Sequence, residues 1–393
     1  MPVALDESDM SVSIGIVGAG NRGHSHAESY ADVEGAEISA VADIDRDAAT
    51  DLAETFDVSA VYDDALAMFD DTDLDAVSVC VHNNLHRPMV EAAAEAGLDV
   101  FCEKPLAATY ADAKAMVEAT EEAGVHLGVQ NYTLFYDETR AARTLVDAGK
   151  LGDPYYARGV FSRRRGRPYV DGYGTPGFVS KESAGGGPVV DIGTYVLGRL
   201  LYLLGNARVE RVGGSTFEHT AETYDADLVG ERRATYTDRL EASGYDVEDG
   251  GLGWAHLEDG SVLELRAAWH MFVPDRPSVV AGTQGGLQLD PFEFYTTTED
   301  YEATVSLDIE DFETRMALLE SESGYEFERD IGQFHHWIGT IDGSIENPIP
   351  TDELALNSMR IMEGIYLADE AGRELTAEEI TERSASTAVD LDG

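Results

Sequence analysis

The chain has 393 residues, 43% of them hydrophobic, which fits a folded protein of two domains better than one small core. Its net charge of −49 argues against nucleic acid or anionic membrane as a general partner, because a field of that sign repels both. Lysine occurs only at Lys104, Lys114, Lys150 and Lys181, while acid is spread along the whole chain. That balance points to a salt-accumulating, halophile-like host, where a Debye length of roughly 3 Å relieves self-repulsion.

In chain order, residues 1–11 are acidic and lack an apolar core, so they do not read as a secretory signal. Residues 13–17 form a short apolar run, 21–31 a helix, 36–42 a second strand and 46–56 a second helix. A buried strand at 76–81, a helix at 86–96, a strand at 100–102, a helix at 110–123 and a strand at 127–129 follow. Strands separated by helices of this length imply βαβ units and a parallel, doubly wound sheet. The pattern changes after about Tyr132. A helix over 137–148 ends at Gly149. Segments 155–161, 208–216, 251–257 and 261–270 then read as longer antiparallel strands, joined by glycine-containing turns such as Asp259-Gly260. The apolar stretch 189–204 is interrupted by Asp191 and Arg199, so it reads as a buried amphipathic helix rather than a membrane span. Residues 351–373 give a late amphipathic helix. The expected organisation is an α/β Rossmann domain over 11–133 and an α+β domain over 134–375 with a large, mostly antiparallel open sheet. An acidic, frayed tail is expected over 376–393.

Gly18-Ala19-Gly20-Asn21-Arg22-Gly23 is a G-x-G-x-x-G loop that follows an expected strand and opens an expected helix. Gly18 allows the tight turn, Gly20 lets the backbone approach a pyrophosphate, and Gly23 lets the helix pack on the strand. Asp43 ends the second strand, twenty residues past Gly23, where a carboxylate bonds the ribose 2′-hydroxyl. With Ile44 beside it, this favours NAD over NADP, because a 2′-phosphate would be repelled.

Glu103-Lys104-Pro105 ends another strand, where open α/β sheets line their ligand crevice. A lysine held there can stabilise a developing alkoxide; the alternative is a surface lysine beside a loop proline. Asp191 and Tyr195 are spaced i, i+4, which on one helix puts them on one face. The competing reading is that Asp191 caps the helix and Tyr195 packs. Arg163-Arg164-Arg165-Gly166-Arg167-Pro168 is the densest basic run, suited either to substrate oxygens or to anchoring in an acidic protein. Cys80, Cys102, His24, His26, His82 and His86 share the first domain without a recognisable zinc spacing, so no metal is expected. Two cysteines build no disulfide framework, which fits a reducing cytoplasm. Trp269-His270 and His335-His336-Trp337 read as packing or rim residues.

Taken in order, the chain resembles the glucose–fructose oxidoreductase/inositol dehydrogenase (Gfo/Idh/MocA) family. The resemblance rests on the glycine loop, Val81-His82-Asn83-Asn84-Leu85-His86, Glu103-Lys104-Pro105, Gly128-Val129-Gln130-Asn131-Tyr132 and the run Gly185 to Tyr195, followed by Tyr202-Leu203-Leu204-Gly205. It implies an NAD(P)-dependent oxidoreductase acting on a hydroxyl of a sugar, anhydrosugar or polyol. Lys104, Asp191 and Tyr195 match the catalytic positions; many members have His where Tyr195 stands. A nearby Lys⁺ is expected to lower the Tyr195 pKa so that the pair passes a proton near neutral pH. The resemblance places Gly18, Gly20, Asn21, Arg22, Gly23, Asp43, Ile44, His82, Asn83, His86, Glu103, Lys104 and Asn131 around the cofactor. Tyr132, Arg163 and Arg165 fall toward the substrate. A homo-oligomer, dimer or tetramer, is expected. Two alternatives remain: a sugar–sugar oxidoreductase that retains its cofactor, and a catalytically silent NAD-bound sensor.

Overall fold

The computed structural model describes residues 11–171, 174–219, 239–307, 309 and 332–391. The first half alternates strand and helix: β1 Val12–Val17, α1 Asn21–Ala31, β2 Ala36–Ala42, α2 Arg46–Thr55, β3 Ala60–Tyr62, α3 Ala65–Asp71, β4 Ala76–Val79, α4 Asn83–Glu95, β5 Asp99–Cys102, α5 Tyr110–Ala123 and β6 Leu127–Val129. All six strands are parallel, in the order β3-β2-β1-β4-β5-β6. Helices on both faces explain why β1 and β4 are nearly unbroken apolar runs. The strand order reverses between β1 and β4, and ligand crevices form at such switch points. The glycine loop after β1, the segment after β4 and Glu103-Lys104-Pro105 after β5 all open onto this one edge.

The second region runs α6 Asp137–Asp147, β7 Pro154–Ser162, α7 Lys181–Ala184, α8 Pro188–Asp191, α9 Gly193–Leu204, β8 Val209–Phe217, β9 Gly250–Leu257, β10 Val262–Ala268, β11 Val279–Gly282, β12 Gly286–Leu289, β13 Phe292–Thr298, β14 Tyr301–Ser306, α10 Gln333–Ile341, α11 Thr351–Ala371, β15 Leu375–Thr376 and α12 Ala377–Arg383. Its sheet has nine strands in the order β14-β13-β12-β11-β7-β10-β9-β8-β15, and only β7 and β10 pair in parallel. Leu197 and Leu200 of α9 and Ile361, Met362 and Ile365 of α11 share one core with Val212, Ala255, Leu257, Leu263 and Leu265 of the sheet. The alternation in β9 points Leu252 and Trp254 the other way, where they are 46% and 38% exposed.

Three features depart from the sequence reading. The stretch expected to be one helix over 189–204 is two. α8 ends at Asp191, Ile192 falls between, and the chain bends by 52° between Lys181–Asp191 and α9. No single helix among the described residues is long and apolar enough to cross a membrane. Next, α10 returns from far along the chain into the first domain, where Phe334, Trp337 and Ile338 pack with Ile14, Ile16, Tyr30 and Phe101. Lastly, the tail expected to fray carries β15 and α12. The Thr376 hydroxyl and Glu379 carboxylate of α12 form a reciprocal capping box, which supplies the local start signal.

Candidate active site

The turn after β1 is shaped by steric demands. Gly18 has φ +96°, and a Cβ there would lie 2.8 Å from the Cys80 carbonyl oxygen. A Cβ on Gly23 would lie 2.0 Å from the Gly18 carbonyl oxygen, so α1 can approach β1 only without one. Gly20 has nothing within 4 Å of its missing Cβ, and no side chain caps the N-terminus of α1. The first turn of α1 therefore offers free backbone N–H groups to open space, a cradle suited to a pyrophosphate. Asn21 and Arg22 begin the helix. Asp43 braces the loop: its Oδ2 accepts the Ala19 N–H (2.6 Å) and its Oδ1 the Asp45 N–H (2.8 Å). Each oxygen keeps a further lone pair for a ribose hydroxyl. Ile44 beside it is 95% exposed, an apolar surface of the kind an adenine ring covers. The residues present fit a dinucleotide.

At the end of β5, Glu103 is enclosed. Its Oε1 lies 3.2 Å from His26 Nε2 and 3.5 Å from Arg22 Nε, and its Oε2 accepts the Lys104 N–H at 2.9 Å. His26 rests its other nitrogen on Ser78 Oγ at 2.7 Å. Burial pushes the Glu103 carboxyl up, but His26, Arg22 and Lys104 outweigh it and hold the group down at about 2. Burial pushes His26 down, yet Cys80 and Glu103 raise it to about 10. The pair is thus an imidazolium and a carboxylate on the inner side of the strand end.

The Lys104-Pro105 peptide is cis, and the lysine side chain crosses to the second region. Its Nζ donates to Asp191 Oδ1 at 2.8 Å and to the Asp191 carbonyl at 3.1 Å, and sits 4.7 Å from the centre of the Tyr195 ring. Asp191 Oδ2 accepts the indole N–H of the fully buried Trp269 at 2.9 Å. Glu248 fixes α8 from below, accepting the Gly187 N–H (2.9 Å), the Val189 N–H (3.2 Å) and the Tyr366 hydroxyl (2.7 Å). Asp191 and Tyr195 therefore meet across a helix break, held by Lys104, rather than on the face of one helix. The break lets the carboxylate turn toward the lysine while Tyr195 stays on α9.

Two electrostatic expectations change. Burial lowers Lys104, but Asp191, Tyr195 and Glu103 more than offset it, so the ammonium is held above the ordinary lysine value and is a fixed charge. Burial raises the Tyr195 phenol, and Lys104 pulls against it without winning, so the group stands above the usual tyrosine value rather than below it. Asp191 is pushed up by burial and pulled further down by Lys104, Trp269 and Arg163.

The remaining residues fall into two groups. Tyr132 packs its ring 4.7 Å from that of Tyr195. Asn131 is tied to the same corner: its Nδ2 lies 3.4 Å from the Thr194 carbonyl, and Thr133 Oγ1 lies 2.7 Å from Asn131 Oδ1 and 2.9 Å from the Tyr195 carbonyl. Arg163 acts electrostatically on Asp191 and places one guanidinium nitrogen 3.1 Å from the Gly166 carbonyl. Other side chains turn elsewhere. His86 is fully buried, with Nδ1 3.1 Å from the Pro105 and Leu106 carbonyls and Nε2 3.2 Å from that of Val81; burial lowers its pKa. It braces the loop that carries Lys104. Asn83 donates to the Ala184 carbonyl at 2.9 Å, the His82 ring packs over Gly177, and Arg165 lies 3.5 Å from Asp171. No three His, Cys, Asp or Glu side chains among the described residues converge into a metal-holding group.

Sequence reasoning read Trp269 as a packing or rim residue and weighed His26 only as a metal-ligand candidate. His26 had a usable signal: Gly23, His26, Ala27 and Tyr30 make the buried stripe of α1, and a histidine in such a stripe needs a partner. Trp269 had none, since its partner lies 78 residues away.

Comparison with known proteins matches residues 12–131 to an oxidoreductase family with an NAD-binding Rossmann fold, and 139–288 to the Gfo/Idh/MocA C-terminal domain. Over 300 residues the chain is 31% identical to D-glucoside 3-dehydrogenase of Escherichia coli strain K12, spanning 75% of this chain and 81% of that one. Among solved structures, levoglucosan dehydrogenase in complex with NADH and L-sorbose superposes with a TM-score of 0.74 at 19% identity, covering 94% of this chain and 99% of the other. Aldose-aldose oxidoreductase from Caulobacter crescentus does so with a TM-score of 0.70 at 23% identity, covering 93% and 99%. At such identities the two structures bear on the fold alone. With both of its domains matched, the chain belongs to the Gfo/Idh/MocA family of NAD-binding oxidoreductases.

Proposed function

We propose that the protein oxidises a hydroxyl of a sugar, anhydrosugar or polyol to a carbonyl, or runs the reverse reduction, with Lys104, Asp191 and Tyr195 at the reacting centre. The observation that carries the reading is the contact of Lys104 Nζ with Asp191 and the Tyr195 ring at the strand ends beside the glycine loop. When bound, the nicotinamide supplies the hydride acceptor. The free N–H groups of α1 would hold the pyrophosphate, and Asp43 would accept from the adenosine ribose, which favours NAD over NADP. Lys104 donates to the substrate oxygen and stabilises negative charge developing there. Asp191 keeps the ammonium charged and aimed. Tyr195, a neutral phenol at working pH, takes the hydroxyl proton as it releases its own toward water. Relatives named D-glucoside 3-dehydrogenase, 1,5-anhydro-D-fructose reductase and myo-inositol 2-dehydrogenase support the substrate class.

Other parts of the reading rest on separate features. Leu252 and Trp254, exposed on the sheet face opposite α9 and α11 among the described residues, support a homo-oligomer. The net charge of −49 supports work at high salt, and the free, buried Cys80 and Cys102 fit a cytoplasmic setting.

The test is a screen of aldoses, anhydrosugars and inositols with NAD⁺ or NADP⁺ in molar salt, following reduced cofactor. Wild type would be compared with Lys104→Ala and Tyr195→Phe. A sugar-dependent signal that falls on the order of 10²- to 10⁴-fold in both variants is expected. A signal that survives in both removes the catalytic assignment. Turnover between two sugars without added NAD⁺ would instead favour the cofactor-retaining oxidoreductase, and cofactor binding with no turnover would favour a sensor.

A further inference from the structure

We propose that Glu248, steadied by Tyr366, is a positioning residue: it sets the place of Asp191 and, through Asp191, the aim of Lys104. The inference rests on the reading of Lys104, Asp191 and Tyr195 as the reacting centre and adds what holds that centre in register. Asp191 is the last residue of α8, a helix of a single turn. One turn has little strength of its own, because forming it fixes several residues for one hydrogen bond. The run before it is Gly185-Gly186-Gly187, and glycine gives up more backbone freedom on ordering than any other residue. Local forces alone would not keep α8 and its carboxylate in one place.

Contacts from outside supply the hold. A Cβ on Gly186 would overlap the Tyr366 hydroxyl, and one on Gly187 would overlap the Glu248 backbone carbonyl. The glycines therefore let two remote residues close on the start of α8. Tyr366 comes from α11, whose neighbouring Met362 and Ile365 lie in the main core. Glu248 comes from the segment that leads into β9 and is only 8% exposed.

The Glu248 carboxyl group grips the turn by both oxygens. Oε2 accepts the Gly187 N–H at 2.9 Å, and Oε1 accepts the Val189 N–H at 3.2 Å and the Tyr366 hydroxyl at 2.7 Å. The first N–H groups of a helix have no partner inside it, and no neighbouring side chain caps α8. Glu248 does the work of a cap from about sixty residues away along the chain. The next residue supports the far end of the same turn. The Asp249 N–H donates to the Phe217 carbonyl at 3.0 Å, and its own carbonyl accepts the Trp269 N–H at 3.0 Å. The Trp269 indole then donates to Asp191 Oδ2 at 2.9 Å. Both ends of α8 thus lead back to residues 248 and 249: its start through the Glu248 side chain, its carboxylate through Trp269. The hydrogen bonds of Glu248 and Tyr366 run to α8 and to each other, so their effect on Lys104 passes through Asp191.

The test uses the full-length protein with NAD⁺ and whichever sugar gives the largest wild-type rate in the screen above. Glu248→Gln keeps the size but turns an amide N–H toward a donor that the carboxylate had accepted. Tyr366→Phe removes only the hydroxyl. Circular dichroism and a urea midpoint check that each variant folds, and rates are taken per folded molecule. Glu248→Gln is expected to lower kcat by about 10- to 100-fold, the cost of a misplacement of roughly 1 Å. The sugar KM and the NAD⁺ dissociation constant should move much less. Tyr366→Phe should show the same pattern at a few-fold. The decisive readout is a double-variant cycle. In Asp191→Asn the carboxylate to be placed is gone, so adding Glu248→Gln should cost almost nothing further. The indole N–H resonance of Trp269, identified by its loss in Trp269→Phe, should shift in Glu248→Gln. The proposal is overturned if Glu248→Gln keeps the wild-type kcat and leaves that resonance in place, even with a lowered urea midpoint, because Glu248 would then only support the fold. It is equally overturned if the losses in Glu248→Gln and Asp191→Asn multiply in full. Should Glu248→Gln fail to fold, the same cycle with Tyr366→Phe decides: a loss that vanishes in Asp191→Asn supports the positioning role, and a wild-type kcat overturns it. A fully active Asp191→Asn, or a panel silent for wild type, removes the underlying reading and the positioning role with it. Loss in Asp191→Asn beside a normal Glu248→Gln leaves that reading standing and removes only the positioning role.

Discussion

Lys104 lies between two carboxylates from different domains, and they hold it differently. Glu103, in the dinucleotide domain, accepts the lysine's backbone N–H and is locked to the buried His26 behind it. Asp191, in the second domain, accepts the side-chain ammonium and is itself fixed by Trp269. One acid sets where the lysine starts and the other sets where its charge ends. The reacting centre is therefore complete only when the two domains are packed together, and the two acids should fail in different ways when altered.

The largest expected effect is on stability. Glu103→Gln leaves the His26 imidazolium buried without its counter-charge, a loss of roughly 3–5 kcal/mol that urea unfolding would register. The double variant His26→Gln/Glu103→Gln should recover part of it, because the orphaned charge goes too. Asp191→Asn also leaves a buried ammonium, that of Lys104, without its counter-charge, so it should cost stability too, and beyond that lower kcat on the order of 10²-fold in steady-state assays. If it proved the more destabilising of the two, the division of labour between the acids would fail. Smaller again is Trp269→Phe, which keeps the packing and removes one donor to a charged oxygen. A fall of about tenfold in kcat is expected, in line with roughly 1.5–3 kcal/mol for such a bond.

A pH series sharpens the same contrast. His26 is raised from 6.5 to about 10, so its contribution is full below about 6.5 and is lost as pH climbs toward 10. Glu103 is lowered from 4.5 to about 2, so its contribution is full above about 4.5 and is lost as pH falls toward 2. Calorimetry should find the wild-type Tm declining on the alkaline side, with a shallower decline in His26→Gln. Equal slopes would mean that the imidazole carries no charge in the fold.

What could be read from the sequence was what is encoded locally. The glycine loop, Asp43 and Glu103-Lys104-Pro105 each sit at a strand end, and strand ends follow from short-range hydrophobic pattern. The helix break at Ile192 did not follow, because 189–204 is mostly apolar, interrupted by Asp191, Thr194 and Arg199 with glycines at 193 and 198, and no proline or charge cluster marks a stop there. What bends the chain is Glu248 holding the start of α8 and Lys104 drawing in Asp191, both remote contacts. The sign of the Tyr195 shift failed for a related reason. The nearby lysine was legible, but the depth of burial that outweighs it was not.

The end of the described chain returns to the beginning. The Ala111 N–H donates to Ser384 Oγ at 2.8 Å, the Thr387 N–H to Asp112 Oδ2 at 3.0 Å and the Val389 N–H to the Asn84 carbonyl at 3.0 Å. Phe334 and Trp337 complete the core against β1 and α1. On the ribosome, the dinucleotide domain emerges long before these partners exist. At about 5–20 residues per second the wait is on the order of ten seconds or more. Throughout that interval the face that α10 will cover stays open and the outer ends of α4 and α5 stay unlatched. The nascent chain must be shielded by chaperones or by its own charge until its last helices are made.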